Sequence, residues 1–467
     1  MNTQTVGTRW RRTIGALTIG VVVLAAGCSS SSKNAGSSNT TGAGNSDSQS
    51  AGPSSTSGSL TTSDVQWATN FIGGHQGAAN QSLSPVVFGY VNQQGGTLSF
   101  PEATAGMNAT VKFINTQLGG IDGHPLVAHT CFAAATNDSL TCGTQMANDN
   151  NVKAIEVPLM LLNNQAFYGA LGGKKPILDG GLFFPADLTS PNIYSYALGG
   201  GVQVAGIINI AQKVLNAKRL IVIRTDNPAG QAAGQALEQL SKASGLTAVD
   251  VPVPEPGTAP VYSAAISAAN PQPGDVIQLD VTSIGATTLY DTLKALNLTN
   301  IPVLGSELTA LPPLPGHLKQ VGAQDTVYPD GWYLVDAGYT AFMPVANSNG
   351  SNVYNDMMHQ YAPNAPSLYG YSPTAFEETL EIAKFLTEAG GPSATSAQLA
   401  QEMKAWSGPA IMDAGSLHCG AVSSTPNLCQ FGVGLEQRKN GQWVSVADGL
   451  NGKYIDTLPL LTGGATG

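Results

Sequence analysis

From residue 85 onward, short apolar runs alternate with stretches in which apolar residues recur at helical spacing. The first five segments follow the order strand, helix, strand, helix, strand, at residues 86–91, 105–117, 125–131, 139–149 and 152–157. Such an alternation predicts a parallel sheet that carries helices on both faces.

The same alternation resumes after a glycine cluster at residues 199–201, which opens a predicted helix over 202–215. A second set of predicted segments follows: strands at 219–224, 247–253, 276–281 and 301–304, and helices at 229–243, 261–269 and 286–296. Two consecutive sets predict an α/β fold with two doubly wound parallel-sheet lobes.

Beyond residue 331 the order changes to a strand at 332–335, helices at 374–389 and 397–406, and a hairpin over 432–446 around Asn440-Gly441. The two helices need a sheet to cover, and the first lobe is the candidate. The chain then crosses between the lobes more than once, which makes a hinge. The predicted organisation is a lead-in at 61–84, lobe I at 85–198 with 335–430, and lobe II at 199–334 with 431–460.

Composition narrows the class of protein. The 467 residues are enough for two to three domains. Charged residues make up only 11%, but hydrophobic residues reach 42%, which excludes an extended disordered chain as the overall description. The net charge of −10 argues against nucleic acid as a partner, because phosphate binding needs a basic surface.

The first 60 residues differ from the rest. Arg9, Arg11 and Arg12 precede an apolar run at 14–26, which predicts an export signal over residues 1–27 that is too short to span a bilayer. Cys28 follows Leu-Ala-Ala-Gly, which resembles the lipobox of bacterial lipoproteins and implies a lipid anchor on that cysteine. The alternative is an ordinary secretory signal with a chance cysteine.

Residues 28–60 are almost all Ser, Gly, Asn, Thr and Ala, which predicts a flexible tether with a reach of about 30 Å. A lipid and a tether would hold a folded body at the outer face of the cytoplasmic membrane, in the periplasm or at the cell surface. Four cysteines remain, as the close pairs Cys131 with Cys142 and Cys419 with Cys429. In an exported protein these pairs predict two local disulfides. No Cys-x-x-Cys occurs, and we expect neither a metal nor a cofactor.

Residues 100–106 and 115–123 resemble the first helix and following turn of type I periplasmic binding proteins, with leucine/isoleucine/valine receptors of ABC importers as the closest branch. The resemblance implies a monomeric Venus-flytrap whose lobes close on a small solute and present it to a membrane permease, without catalysis.

Ligands of open parallel sheets bind beyond the carboxyl ends of the strands. On that basis the predicted ligand-binding residues come from both lobes: Asn92, Gln93, Gln94, Met160, Leu161, Gly181, Phe183, Asp226, Asp280, Thr282 and Glu307. Phe100, from the stretch that carries the resemblance, and Tyr371, before the helix at 374–389, are added as aromatic contacts from the first lobe. For Tyr371 the alternative is packing between the segments that cross from lobe to lobe. Where the family is rich in Ser and Thr, the segments 160–163 and 181–183 are apolar here, which argues against capture of an amino-acid carboxylate. Leu161 and Phe183 could instead be core residues.

Glu307 lies where the family places an acid that pairs with a ligand ammonium group, and a solvated loop residue is the alternative. The predicted function is an extracytoplasmic lipoprotein that captures an amino acid, an amide or a related apolar compound for an ABC-type permease. A ligand sensor for a membrane-bound regulator is the alternative. A surface hydrolase has little support, because residues 370–374 lack the closing glycine of a nucleophile elbow.

Overall fold

The computed structural model describes residues 59–336, 349–366, 368, 370–408, 410–412, 417–446 and 454–462. The predicted signal peptide, the predicted lipidation site Cys28 and the tether up to residue 58 lie outside the described residues. Within the described ranges, no helix is both long enough and apolar enough to cross a membrane.

The strands of the described chain are β1 (Val86–Gln93), β2 (Leu126–Ala133), β3 (Val152–Val157), β4 (Ile177–Asp179), β5 (Gly181–Leu182), β6 (Ile193–Tyr194), β7 (Leu198–Gly199), β8 (Arg219–Thr225), β9 (Thr247–Val253), β10 (Asp275–Asp280), β11 (Val303–Gly305), β12 (Tyr333–Asp336), β13 (Gly432–Lys439), β14 (Gln442–Ser445) and β15 (Ile455–Asp456).

Its helices are α1 (Thr62–Ile72), α2 (Pro101–Gln117), α3 (Asp138–Asn148), α4 (Asn164–Leu171), α5 (Pro185–Thr189), α6 (Gly200–Asn209), α7 (Pro228–Ser244), α8 (Ala259–Ala269), α9 (Ser283–Ala295), α10 (Leu314–Gln320), α11 (Asn349–Tyr361), α12 (Ser372–Glu388), α13 (Ser396–Ala405) and α14 (Leu458–Leu461). One π-helical turn, Ile210–Val214, continues α6.

The first lobe is built on a parallel sheet in the order β2-β1-β3-β4-β6. Helices α2 and α12 pack together over one face of this sheet, where Phe88 and Tyr90 are buried. Helices α3 and α4 cover the opposite face, where Ile155 and Val157 are buried. Strands β1, β3 and β4 are therefore buried on both faces, which explains why their sequences are rich in apolar residues, whereas the edge strand β2 is partly exposed.

The second lobe is built on a sheet in the order β14-β13-β12-β11-β10-β8-β9, in which β8 to β12 are parallel and the hairpin β13-β14 is antiparallel. Helices α6 and α7 cover one face, and α8 and α9 cover the other. Asn440 and Gly441 both have positive φ, 52° and 75°, as a two-residue hairpin turn requires. The predicted hairpin and the predicted fold class are confirmed.

The late helices return to the first lobe. Helix α12 packs against α2 and β3, α13 also contacts β3, and α11 contacts α2. This confirms the prediction that these helices cover the first sheet. Strand β12 extends across residue 335, where the lobes were predicted to change, and it pairs with β11 and β13 of the second sheet. The remaining lobe boundaries stay a prediction.

Two kinds of difference separate the predicted elements from the observed ones. Helix α2 begins four residues earlier than predicted, at Pro101, because proline is favourable in the first turn of a helix. Strand β1 continues to Gln93, so Asn92 and Gln93 lie in the strand and not in the loop predicted after it. Helices α1, α4 and α11 were not predicted, although a Thr61/Asp64 capping box marks the start of α1.

Both predicted disulfides are present. Cys131 of β2 is bonded to Cys142 of α3, with an S–S distance of 2.03 Å. Cys419 is bonded to Cys429 in the segment that leads from α13 to β13, with an S–S distance of 1.99 Å. The two bonds close short loops, a use of cysteine that suits an exported protein.

Candidate ligand-binding site

A cavity of about 340 Å³ lies between the two lobes at the carboxyl ends of the second sheet. The first lobe contributes a wall that is mostly apolar: Leu98, Leu161, Leu182, Phe183, Phe184, Pro185, Leu188 and Tyr371. The second lobe contributes strand ends, the loops after them and the starts of α6 and α7. This is the place where open parallel sheets bind ligands, and the volume falls within the usual range for small-molecule pockets.

A set of polar groups stands at the mouth of the cavity, on the second lobe. They are Thr225, Asn227, Asp280, Thr282 and Ser306. Burial raises the pKa of Asp280 to about 6, with the Arg224 guanidinium opposing the shift and Glu255 adding to it. The mouth therefore offers hydroxyl and amide groups together with one carboxyl whose raised pKa lets it take up a proton in mildly acidic solution.

Hydrogen bonds with nearby charged side chains fix the positions of residues at the mouth. Arg224 makes two hydrogen bonds of 2.7 Å to the Asp250 carboxylate. Glu255 accepts hydrogen bonds from the backbone N–H of Thr282 at 3.1 Å and of Gly285 at 2.7 Å, and from the Thr282 hydroxyl. The Thr282 hydroxyl thus already donates within the protein, and its oxygen also accepts from Ile284 N at 3.3 Å, which leaves one lone pair for a ligand.

The cavity continues inward from the mouth, between the sheet and helices α6 and α7. We call this part the inner arm, and its walls are Val204, Ile207, Val222, Ala233, Ala236, Leu237 and Gln278. Gln278 lies two residues before Asp280, and Val222 lies three before Thr225. At about 3.3 Å per strand residue, the inner arm reaches about 7 to 10 Å behind the strand ends.

Small side chains leave this space open. Helix α7 presents Gly230, Ala233 and Ala236 to the cavity, and α6 begins with Gly200 and Gly201. The spacing 230, 233, 236 and 237 places these residues on one face of α7. Because the alanines fill little of the gap between helix and sheet, the inner arm remains. Gly230 instead lets the start of α7 approach the Thr225 carbonyl oxygen, with which a Cβ at this position would collide.

Residues at the end of β1 position the first-lobe wall instead of lining it. The buried Gln93 accepts a hydrogen bond from Leu161 N at 2.8 Å and donates one to Leu98 O at 3.3 Å, so that it connects the two lining loops. Asn92 donates to Phe100 O at 2.8 Å, and Gln94 accepts from the Thr104 hydroxyl at 2.7 Å. Asn92, Gln93 and Gln94 do not line this cavity, and their contact with a ligand stays a prediction.

Asp187, which was not among the predicted site residues, fixes the segment that carries Phe183. Its carboxylate accepts hydrogen bonds from the backbone N–H groups of Phe183 at 2.8 Å and Phe184 at 2.7 Å, and from the Asn164 amide at 2.9 Å. Burial raises the pKa of Asp187, and the hydrogen bonds from Phe184 and Asn164 oppose that shift. The signal in the sequence was an acid three residues after Phe184, a spacing typical of a helix start.

The structure brings five predicted residues to the cavity: Leu161, Phe183, Tyr371, Asp280 and Thr282. It places others elsewhere. Met160 is buried in the hydrophobic core on the α3 side of the first sheet. Phe100 packs edge to face against Tyr371, with ring centroids 5.5 Å apart, and lines an adjoining cavity of about 280 Å³ that shares Leu98 and Thr282.

Gly181 and Asp226 also have other roles. A side chain on Gly181 would collide with the Phe183 ring, so this glycine gives the ring its position. Asp226 is exposed beside the mouth, and its neighbour Asn227 caps α7 by accepting from Gly230 N at 2.8 Å. The side chain of Glu307 lies outside the described part of the structure, although Ser306 and Leu308 on either side of it line the cavity.

No group of three or more His, Cys, Asp or Glu side chains within the described ranges is placed to hold a metal ion. The arrangement suits non-covalent capture, with an apolar body enclosed between lobes and a few polar groups at one side.

Three solved structures have the same fold over most of their length. A fatty acid ABC transporter substrate-binding protein from Thermomonospora curvata is 16% identical, with a TM-score of 0.63 over 82% of this chain and 95% of that one. The branched-chain amino acid transporter substrate-binding protein LivJ from Streptococcus pneumoniae, in complex with isoleucine, is 14% identical, with a TM-score of 0.62 and coverages of 80% and 100%. A solute-binding protein from R. palustris in complex with benzoate is 15% identical, with a TM-score of 0.60 and coverages of 80% and 98%.

No curated protein matches the chain in sequence. The family model described as periplasmic binding protein matches residues 85–416, which is most of the chain and includes both sheets up to β12 and the late helices of the first lobe. The chain belongs to the periplasmic binding protein family.

Proposed function

We propose that this protein is an extracytoplasmic solute-binding lipoprotein that captures a small, mostly apolar solute between its lobes and delivers it to an ABC-type permease. The observation that carries the proposal is the cavity at the carboxyl ends of the second sheet, walled by apolar side chains of the first lobe. Isoleucine and benzoate, the ligands in two structures of the same fold, both combine an apolar body with a polar end.

The distribution of polar groups orients the solute. The described first-lobe wall offers Leu161 and Phe183, which can only pack against an apolar body. The mouth offers Thr225, Asn227 and Asp280 on the second lobe. A solute with one polar end would therefore point that end toward the strand ends of the second lobe. An amide fits well, because it both donates and accepts hydrogen bonds.

A thermal-shift screen of the purified full-length protein tests this function. The panel contains amino acids, primary amides, aromatic acids and fatty acids, and we expect apolar members to raise the melting temperature because they bind only the folded state. Small-angle scattering of a stabilised sample should show a more compact particle as the lobes close. A panel without any stabilising compound, together with unchanged scattering, would contradict the proposal.

A pair of leucines in the same lobe supplies the matched variants. Leu161→Glu places a carboxylate in the apolar wall and should remove the ligand-induced shift, because burying that charge against the solute is unfavourable. Leu140 of α3 is 53% exposed and does not line the cavity, so Leu140→Glu should keep the shift. Equal behaviour of the two variants would place binding outside this cavity.

The proposed anchor has its own test. The Leu-Ala-Ala-Gly-Cys run supports lipidation of Cys28. Cells that express the protein and are fed an alkyne-labelled fatty acid should label the wild type but not Cys28→Ser, and the variant should leave the membrane fraction. Label that persists in Cys28→Ser would exclude this cysteine as the attachment point.

A further inference from the structure

One polar side chain lies inside the inner arm, away from the polar mouth. Gln278 of β10 is only 2% exposed and lines the cavity between the sheet and α7. Its neighbours in the adjacent strands are apolar: in register with Gln278 are Val222 of β8 and Leu304 of β11. An aliphatic residue would complete this layer, so the amide is the exception that needs an explanation.

The two polar atoms of the Gln278 amide differ in their hydrogen bonding. Its Nε2 donates to Leu279 O at 3.1 Å. Its Oε1 is buried and has no hydrogen-bond partner in the protein. Reversing the amide would bring its oxygen against the Leu279 carbonyl oxygen, so the hydrogen bond fixes which atom is left over. A buried acceptor without a partner is unfavourable, and a donor that arrives with a ligand would remove that cost.

The walls around Gln278 limit which donor can reach it. The other described residues of the inner arm are aliphatic, from Val204 and Ile207 on α6 to Leu237 on α7. None of them is acidic, and the carboxyl of Asp280 stands at the mouth. An ammonium group would enter the inner arm without a counter-charge, which is strongly unfavourable. A neutral hydroxyl or amide N–H has no such cost.

We propose that the inner arm of the second lobe receives the far end of the solute, and that this end carries a neutral hydroxyl or amide donor that binds Gln278 Oε1. The solute class is then an elongated molecule with a polar head at the mouth, an apolar body and a neutral donor at its inner end. This inference rests on the proposed function and specifies its ligand.

A pair of compounds that differ by one hydroxyl tests the proposal. Octanamide and 8-hydroxyoctanamide share a neutral head for the mouth, and their chain matches the depth of the inner arm. Titration calorimetry with the full-length protein should give the hydroxylated compound an affinity at least fivefold higher, the size expected for one added neutral hydrogen bond. In Gln278→Leu the order should reverse, because the hydroxyl would then be buried without a partner.

The matched control is Gln235→Leu, the same change at an exposed glutamine of α7 that does not line the cavity. It should keep the wild-type preference for the hydroxylated compound. Gln278→Met, a second apolar variant of similar volume, repeats the test if the leucine variant folds poorly.

Three outcomes would overturn the proposal. These are equal affinity of the wild type for both compounds, a preference that Gln278→Leu leaves unchanged, and failure of both compounds to bind. In each case the wider thermal-shift panel tests the proposed solute-binding function separately.

Discussion

The two lobes use the same architecture, a 17-residue helix laid over a parallel sheet, but they fill the layer beneath that helix differently. In the first lobe every residue of α12 from Ser372 to Leu386 is buried, including the bulky Phe376 and Phe385. In the second lobe α7 turns Gly230, Ala233 and Ala236 toward the sheet and leaves the inner arm. Side-chain volume under one helix thus separates a packed lobe from a lobe with a ligand cavity.

The layer of side chains under α12 in the first lobe is also unusual because it contains several buried carboxyl groups. Helix α12 buries three carboxyls, Glu377, Glu378 and Glu381, near Glu156 of β3. Glu156 accepts a hydrogen bond from the Thr379 hydroxyl at 2.7 Å, whereas neither oxygen of Glu381 has a hydrogen-bond partner. Burial raises the pKa of all four carboxyls, that of Glu377 to about 8. The first lobe is therefore packed with carboxyls that hold protons near neutral pH.

The largest expected effect is on stability as a function of pH. A carboxyl whose pKa is higher in the folded state contributes stability that is fully present below its unfolded pKa, near 4.3, and is lost as pH rises through the folded value. The pH range of this loss is set by three pKa values: about 8 for Glu377, about 7 for Glu102 and about 6 for Asp280. We expect the free energy of unfolding to fall by on the order of 3 kcal/mol or more between pH 5 and pH 8.

Urea unfolding of the full-length protein at pH 5, 6, 7 and 8 measures this slope. Glu377→Gln should flatten it, because the neutral amide keeps the role of the protonated acid at every pH. Asp149 and Asp275 have lowered pKa values and act in the opposite direction, but only below about pH 4. A stability that rises from pH 5 to pH 8 would contradict the protonated carboxyl cluster.

A smaller effect on stability, with a large effect on binding, is expected from filling the inner arm. Ala236→Leu adds three carbons to a side chain that already faces open space, so the free energy of unfolding should change by less than about 1 kcal/mol. The affinity for octanamide should fall at least tenfold, because the leucine occupies the volume that the alkyl chain needs. Calorimetry and urea unfolding on the same sample measure the two effects.

The same change in the first lobe is the control. Ala383 of α12 is fully buried in the packed layer, and Ala383→Leu should cost about 1 to 3 kcal/mol through overpacking while the affinity for octanamide stays near the wild-type value. If both variants cost the same stability, the two layers would be equally packed and the contrast between the lobes would be lost.

The predicted element bounds were most accurate where a local hydrophobic pattern defines the element. Strands β3 and β9 have the predicted bounds, and the apolar stretches that became α7 and α12 were recognised within two residues at each end. The site was less predictable. Asn92 and Gln93 follow an apolar run and read as a loop, but they pair with Phe132 and Ala133 of β2, because hydrogen bonds to a neighbouring strand decide where a strand ends.

Gln278 shows what signal could have been used. Residues two apart in a strand point to the same side, so the placement of Asp280 at the cleft implied that Gln278 lies behind it on the same face. What the sequence could not supply was the space in front of that face. The space depends on how α6 and α7 pack against the sheet and on the small volume of Ala233 and Ala236.

By itself, the sequence determined two helix-covered parallel sheets and two local disulfides, since hydrophobic period, turn residues and cysteine spacing are properties of short segments. Only the tertiary structure decided that side chains leave a cavity under α7 of the second lobe. Packing is a sum over side chains that come from distant parts of the chain. Gln278 Oε1 becomes a buried acceptor without a partner only when α6 and α7 pack over strands β8, β10 and β11.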